Sequence, residues 1–350
     1  MSMKNQIKEL AERVFHRMID APASDWGMDI EKWDWVPGVG VISILAYGQL
    51  AGDPKAIDYL RQWTERNRHK SDQVKVINSM APYAIFPALY RITGERWYLE
   101  SATKIGDWML SEAPRTREGA FEHTVTEEAQ FSEQAWADTL FMAVIFLARL
   151  ARLTGDSKYA KEAEFQLLVH LRLLQDPETG VLFHGWNGSE GNHMSAARWA
   201  RANAWVLLAS PWIAEEINNL TQLSEEIIER YQQLAAGLRQ YQRESGLWNT
   251  VLDQPEFAEE TSGSAGIAAG WLAGIRKGWL DHTYKEAVRN TLQGVKKCID
   301  LEGTVQGVSG GTPVMPNIPA YNQIPCYPTL YGQGLVLILL SLAHAGQAAE

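Results

Sequence analysis

Cysteine is nearly missing from this chain: Cys298 and Cys326 are the two among 350 residues. Two thiols make no disulfide framework and no four-ligand zinc site, which points to free thiols in a reducing compartment. Long apolar runs are missing too. Runs such as Leu335 to Leu342 fall far short of the ~20 residues that span a bilayer. The opening stretch MSMKNQIKELAERVFHRMI carries charges throughout and has no uninterrupted apolar segment, so it does not read as a secretory leader. The expectation is a soluble, cytoplasmic protein with no membrane partner. Basic residues are in deficit, 32 against 42 acidic, for a formal net charge of -10. An acidic surface attracts neither nucleic acid nor an anionic membrane, although a local Arg and His cluster can still hold a small anion. There is no GxxxxGK[ST], no HExxH, no GxSxG and no Gly-rich strand–turn–helix. His and acidic residues are not clustered at metal-ligand spacing. Chemistry without metal or cofactor, hydrolysis foremost, is therefore the expectation.

Apolar residues make up 46% and charged residues 21%, the balance of a folded globular chain. Apolar positions recur at helical spacing over about 4–19, 39–51, 55–69, 80–93, 96–111, 138–154, 157–174, 197–217, 222–241, 262–277, 282–300 and 330–346. Short strands have room only around 181–186 and 247–252. Several helices close on the same short turn: Leu50-Ala51-Gly52-Asp53, Thr93-Gly94-Glu95, Thr154-Gly155-Asp156 and, more loosely, Lys277-Gly278-Trp279-Leu280-Asp281. Gly suits the left-handed residue past a helix end and Asp suits the start of the next helix, so each copy predicts a tight helical hairpin. The complementary connections, 22–38, 112–136, 176–196, 243–260 and 303–329, are longer and richer in aromatic and polar residues. Short turns at one end and decorated loops at the other predict an all-α (α/α)6 barrel with one functional mouth, a single domain over 1–350; an α-solenoid is the alternative.

Aromatics are abundant, with 14 Trp, 12 Tyr and 9 Phe, and serve equally as core or as stacking walls. Their positions separate the readings. Asp138 follows Trp136 at the head of an apolar helix. It reads either as a helix cap or as a general acid whose pKa is raised by burial in a Trp-walled site. His184 stands among aromatics in Phe183-His184-Gly185-Trp186, as a backbone-satisfied ring or as a contact to substrate. In Trp199-Ala200-Arg201-Ala202-Asn203-Ala204-Trp205, the Arg201 and Trp205 side chains share a helix face. They suit a sugar that carries a carboxylate, with a bidentate guanidinium and a stacking indole, or simply a packed core. Trp35, next to Trp33 before a helix, Asn78, most simply an N-cap, and the polar loop from Pro114 to His123 are weaker signals.

In order along the chain, Ile77-Asn78-Ser79-Met80-Ala81-Pro82, Pro114-Arg115-Thr116 with Gly119 and His123, Trp136-Ala137-Asp138-Thr139-Leu140-Phe141-Met142, Phe183-His184-Gly185-Trp186, Trp199 to Trp205 and Glu260-Thr261-Ser262-Gly263-Ser264-Ala265 resemble glycoside hydrolase family 105. These are unsaturated rhamnogalacturonyl hydrolases, related to the family 88 unsaturated glucuronyl hydrolases. The resemblance runs from about Trp33 to the C-terminal loop and implies the (α/α)6 barrel. It implies hydration of the C4=C5 double bond that a lyase leaves on a terminal uronic acid, with Asp138 protonating C4 and helping water to C5. The hemiketal then rearranges and releases the neighbouring sugar. The resemblance further implies a substrate site at His123, Trp136, His184, Trp199, Arg201 and Trp205; Trp35 and Asn78, read from the sequence, are added to the expected site, and no metal or cofactor is expected. Asn78 falls near the place where relatives carry a second acid, and an amide cannot take its proton.

The leading expectation is removal of an unsaturated galacturonyl unit from small pectin fragments by a monomer or weak homo-oligomer. A hydrolase of unsaturated glucuronyl units from glycosaminoglycan or algal fragments is the nearest rival. A non-catalytic sugar-binding helical barrel would need the tryptophans but not Asp138. An epimerase would lean on His123, His184 and His193 as proton carriers.

Overall fold

The turns marked by glycine set the geometry. Gly52, Gly94, Gly155 and Gly278 all adopt left-handed backbone, with φ between 66° and 77°. Each ends a helix there, and the Asp53 and Asp156 carboxylates accept from the backbone of the helices that follow. A computed structural model describes residues 3–20, 25–127 and 131–347.

The main helices are α1 (Met3–Asp20), α2 (Trp35–Ala51), α3 (Pro54–Asn67), α4 (Phe86–Thr93), α5 (Arg96–Ser111), α6 (Ile145–Thr154), α7 (Ser157–Leu174), α8 (Ala200–Ile217), α9 (Glu225–Gln240), α10 (Thr261–Lys277) and α11 (Tyr284–Lys297), then a short α12 (Ile318–Tyr321) and α13 (Leu330–Gln347). They alternate between an outer and an inner ring. In the outer α3, Ala56, Leu60, Trp63, Thr64 and Asn67 are buried on one face and the rest meets solvent. The inner α2 is buried without a break from Val36 to Gly48. Helix α2 packs on the segment Ile77–Ile85 that leads into α4, this unit on α6, then α8, α10 and α13 follow in succession, and α13 returns against α2 to close the ring. This is the expected (α/α)6 barrel.

Two inner helices begin irregularly. Ile77–Ile85 is a 3-10 segment with Pro82 inside it, leading into α4. Pro82 has no amide hydrogen to donate, which disfavours the regular α ladder. Leu140–Val144 is a π-helical turn leading into α6, where hydrophobic spacing predicts one regular helix from 138. A small antiparallel pair joins β1 (Gln134–Trp136) to β2 (Gly185–Asn187), with Ala135 opposite Trp186. It ties together the loops carrying Asp138 and His184. Stretch 247–252 makes only isolated bridges, from Asn249 to Glu259 and from Val251 to Trp199.

The N-terminal ends of the inner helices converge at the pole with the long loops. Trp35, Asn78, Asp138, Arg201, Glu260 and Tyr331 all stand in or next to those first turns. Free amide ends give this pole a partial positive charge that favours an anionic ligand. The C-terminal ends meet at the opposite pole around a hollow of about 470 Å³ lined by Arg149, Glu215, Glu216, Arg276 and Lys277. There Lys277 pairs with Glu215 at 2.5 Å and Arg149 sits 4.0 Å from Glu216. Cations there complement the carbonyl ends of the helices. Among the described residues no helix is long and apolar enough to cross a membrane.

Candidate active site

A cavity of about 380 Å³ opens at the N-terminal pole, within the range that holds a small sugar. Asp138, Asn78, His123 and Arg201 contribute polar groups to its lining, and Trp35, Trp136 and Trp199 contribute walls. Most of the residues read from the sequence as one site are thus brought together from four different inner helices and two loops.

Asp138 is 8% exposed. It does not cap a helix: its backbone carbonyl accepts from Phe141 and Met142, but no backbone N–H reaches its carboxylate. The small sheet holds it in place, since Ala137 N donates to the His184 carbonyl at 3.1 Å. Oδ2 lies 3.4 Å from His184 Nε2, an ion-pair distance without the alignment of a hydrogen bond. Burial raises the Asp138 pKa, but His184, His123 and the Arg201 guanidinium outweigh it and hold the carboxyl below its ordinary value. The sequence-based expectation of a carboxyl kept protonated by burial is therefore corrected: the substrate-free site favours the carboxylate. Burial simply cannot win against three nitrogen groups at this range.

His184 is buried and does not line the cavity; it supports Asp138 from behind. Its ring packs between Trp136, at 5.3 Å, and Trp199, at 4.3 Å. Burial pushes its pKa down, as it does for His123, which is lowered to about 4. Both rings are neutral at pH 7. His123 stacks on Trp136 with centroids 3.9 Å apart and planes 12° apart, and its Nδ1 is buried without a partner. Asn78 donates its backbone N–H to the Thr124 carbonyl, and its Oδ1 is buried and unpartnered, so it is not the N-cap that the sequence favours. Trp35 stacks on Tyr331 at 5.2 Å and meets the edge of Trp26.

Arg201 differs from expectation. Its Nη1 reaches Glu260 Oε1 and Ser262 Oγ, and both the carbonyl and Oγ of Ser309; Nη2 reaches the Gly310 carbonyl and Thr312 Oγ1. Trp199 and Tyr331 lie against the guanidinium at 4.4 and 4.6 Å. Both terminal amino groups are thus spent within the protein, and a bidentate clamp on a ligand carboxylate is not on offer. Arg201 supplies charge and fixes Thr312, which does line the cavity. Trp205 is also misplaced by the sequence reading. It shares the Arg201 face but lies one turn deeper, packed on Phe141 at 4.8 Å in the core. His193 stands apart, with Nε2 2.8 Å from the Leu173 carbonyl.

Several lining residues escaped the sequence reading. Trp26, Phe131, Pro313 and Tyr327 widen the apolar wall, and Glu127 sits exposed at the rim. Glu260 is fully buried, capping α10 through Ser262 and Gly263 while it neutralises Arg201. Tyr321 donates or accepts at His184 Nδ1, 2.8 Å away. Glu is not a usual helix cap, so no local pattern marks Glu260, and the others lie in the long connections without periodicity. Among the described residues no cluster of three or more His, Cys, Asp or Glu is placed to hold a metal ion.

Comparison with known proteins identifies the family. The model of Glycosyl Hydrolase Family 88 matches residues 6–344. The unsaturated rhamnogalacturonyl hydrolase YesR of Bacillus subtilis is 34% identical over 88% of this chain and 89% of its own length. An unsaturated 3S-rhamnoglycuronyl hydrolase of Alteromonas is 30% identical over 59% of this chain and 50% of its own. The crystal structure of a possible family 105 member from Salmonella enterica superposes with a TM-score of 0.92 at 28% identity, covering 99% of this chain and 96% of that one. The chain belongs to Glycosyl Hydrolase Family 88, on the branch it shares with family 105, and is a glycoside hydrolase.

Proposed function

We propose that the enzyme removes a terminal 4,5-unsaturated galacturonyl residue from small rhamnogalacturonan fragments, by hydrating the C4=C5 bond with Asp138 as the proton donor. The observation that carries this reading is the solitary carboxyl. Hydrolysis of an ordinary acetal uses two carboxyl groups about 5–10 Å apart across the scissile bond. Among the described residues Asp138 is the one buried acid lining the cavity, since Glu127 is exposed at the rim and Glu260 is consumed by Arg201. A vinyl ether needs less. The Asp138 proton passes to C4, and water bonds to C5 and returns a proton to the carboxylate. The resulting hemiketal opens and expels the neighbouring sugar as an alcohol. Trp136 and Trp199 wall the ring, and the converging helix N-termini favour its carboxylate. That carboxylate brings negative charge toward Asp138, which raises its pKa and favours the acid form once substrate is bound.

The neighbouring sugar is neutral in this reading. Among the described lining residues Arg201 is the sole permanent cation and is already paired, while Glu127 opposes anions at the rim. A sulfated glucuronyl fragment finds no counter-charge there. YesR, the relative matched over most of its length, carries rhamnogalacturonyl in its name. We place the enzyme in the cytoplasm as a monomer or weak homo-oligomer, acting on products of a polysaccharide lyase. The test is a screen of lyase-generated disaccharides, following the ultraviolet absorbance of the conjugated double bond. Unsaturated galacturonyl-rhamnose is expected to lose absorbance and sulfated glucuronyl disaccharides to persist. Asp138→Asn is expected to reduce turnover by about 10²–10⁴-fold. Full activity in that variant would remove Asp138 from the reaction.

A further inference from the structure

The contacts behind Asp138 run through His184 to a residue outside the cavity. Tyr321 lies on the short α12 and is 1% exposed. Its hydroxyl is 2.8 Å from His184 Nδ1 and receives the Met315 backbone N–H at 3.2 Å. Ser195 Oγ is farther off, at 3.5 Å. A phenol has one hydrogen to give, and a neutral imidazole has one donor and one acceptor nitrogen. With Met315 donating into the oxygen and Ser195 at the limit of reach, the phenolic hydrogen is directed to Nδ1. We propose that Tyr321 is a positioning residue that fixes the His184 hydrogen on Nε2, the nitrogen that faces Asp138 Oδ2.

This inference rests on the reading of Asp138 as the reacting acid. The opposite tautomer would set an Nε2 lone pair against carboxylate oxygen, at 3.4 Å. The Tyr321 hydroxyl is held up to about 12, chiefly by burial, so it remains a hydrogen donor at neutral pH. The titratable and charged groups that face Asp138 are His184, His123, Arg201 and Tyr321 itself. Removing the phenol oxygen frees His184 to place its hydrogen on either nitrogen. The Asp138 carboxylate then loses part of its donor, and its acid form is retained to higher pH.

The test uses Tyr321→Phe, which keeps the ring. ¹⁵N-histidine NMR, with the His184 signals assigned by loss in His184→Gln, should show hydrogen on Nε2 in the wild type and a tautomer mixture in Tyr321→Phe. On unsaturated galacturonyl-rhamnose, kcat on the plateau below the alkaline limb is expected to fall about tenfold with KM within about twofold, because the less supported Asp138 is a weaker acid. The alkaline limb of the pH profile is expected to move up by as much as about one unit. A wild-type hydrogen on Nδ1, an unchanged tautomer in Tyr321→Phe, or a lower kcat with an unmoved limb overturns the proposal. If the wild type turns over none of the disaccharides, the functional reading fails, and the NMR result alone decides the role of Tyr321.

Discussion

Asp138 illustrates how burial alone misleads. A carboxyl in a dry, Trp-walled cavity is expected to hold its proton, yet His184, His123 and Arg201 reverse the direction. Substrate is then part of the acid's chemistry, because its carboxylate supplies the charge that pushes Asp138 back up. The ratio kcat/KM reports the free enzyme and kcat the complex. In the proposed mechanism protonated Asp138 is the active form, so activity is expected to decline as pH rises through its pKa. The alkaline limb of kcat is therefore expected about one unit or more above that of kcat/KM, the shift a nearby like charge produces. Coincident limbs would place the substrate carboxylate away from Asp138. At this scale the sequence was legible where local motifs bring residues to one cavity, at Trp136, Asp138 and Trp199, while Arg201 was placed there but not with the free guanidinium expected of it. It was not legible at Tyr321 or Thr312, which reach the site from a Gly- and Pro-rich loop. Trp205 was misread because periodicity assigns a face but not a depth: four residues carry a side chain about 6 Å along the axis, out of the cavity and into the core.

Helix α10 shows what fixes the site between elements. Gly263, Gly266 and Gly270 face α8, where an added Cβ would come within 2.9 Å of Arg201 N, 2.7 Å of Ala204 Cβ and 2.8 Å of Leu207 Cγ. The close approach lets Glu260 at the start of α10 meet Arg201 at the start of α8. Gly266→Val is expected to force the helices apart and cost about 1–3 kcal/mol of stability, measured by urea unfolding, with turnover reduced alongside. An unchanged urea midpoint would show that the contact is looser than this geometry. The hairpin turns were legible because Gly in left-handed backbone has a local cause. The π turn at Leu140–Val144 was not, since an inserted residue leaves an all-apolar stretch looking the same.

The whole barrel encloses ionisable groups that it keeps neutral. His170 on α7 is fully buried, with Nδ1 2.8 Å from the Gln166 carbonyl and Nε2 unpartnered, and its pKa is lowered from 6.5 to about 4 by burial. Between those values the unfolded chain binds the proton and the folded one does not. Stability consequently falls as pH drops through that window, by up to about 3 kcal/mol for one such ring. His170→Leu is expected to flatten the decline in urea midpoint between pH 7 and 4.5; an equal decline in both proteins would show that His170 titrates freely when folded. At this scale the alternation of short Gly turns with long decorated loops made the barrel and its mouth readable. Closure of the ring by α13 on α2 depends on contacts between distant parts of the chain, and no local pattern encodes it.

The central proposal, that Asp138 protonates a double bond and not an acetal, is tested most directly with a matched pair of galacturonyl-rhamnose disaccharides of the same linkage, one unsaturated at C4–C5 and one saturated. Release of rhamnose is measured from each. The account predicts release from the unsaturated sugar alone, with the saturated one no faster than with Asp138→Asn. Comparable release from both would contradict it.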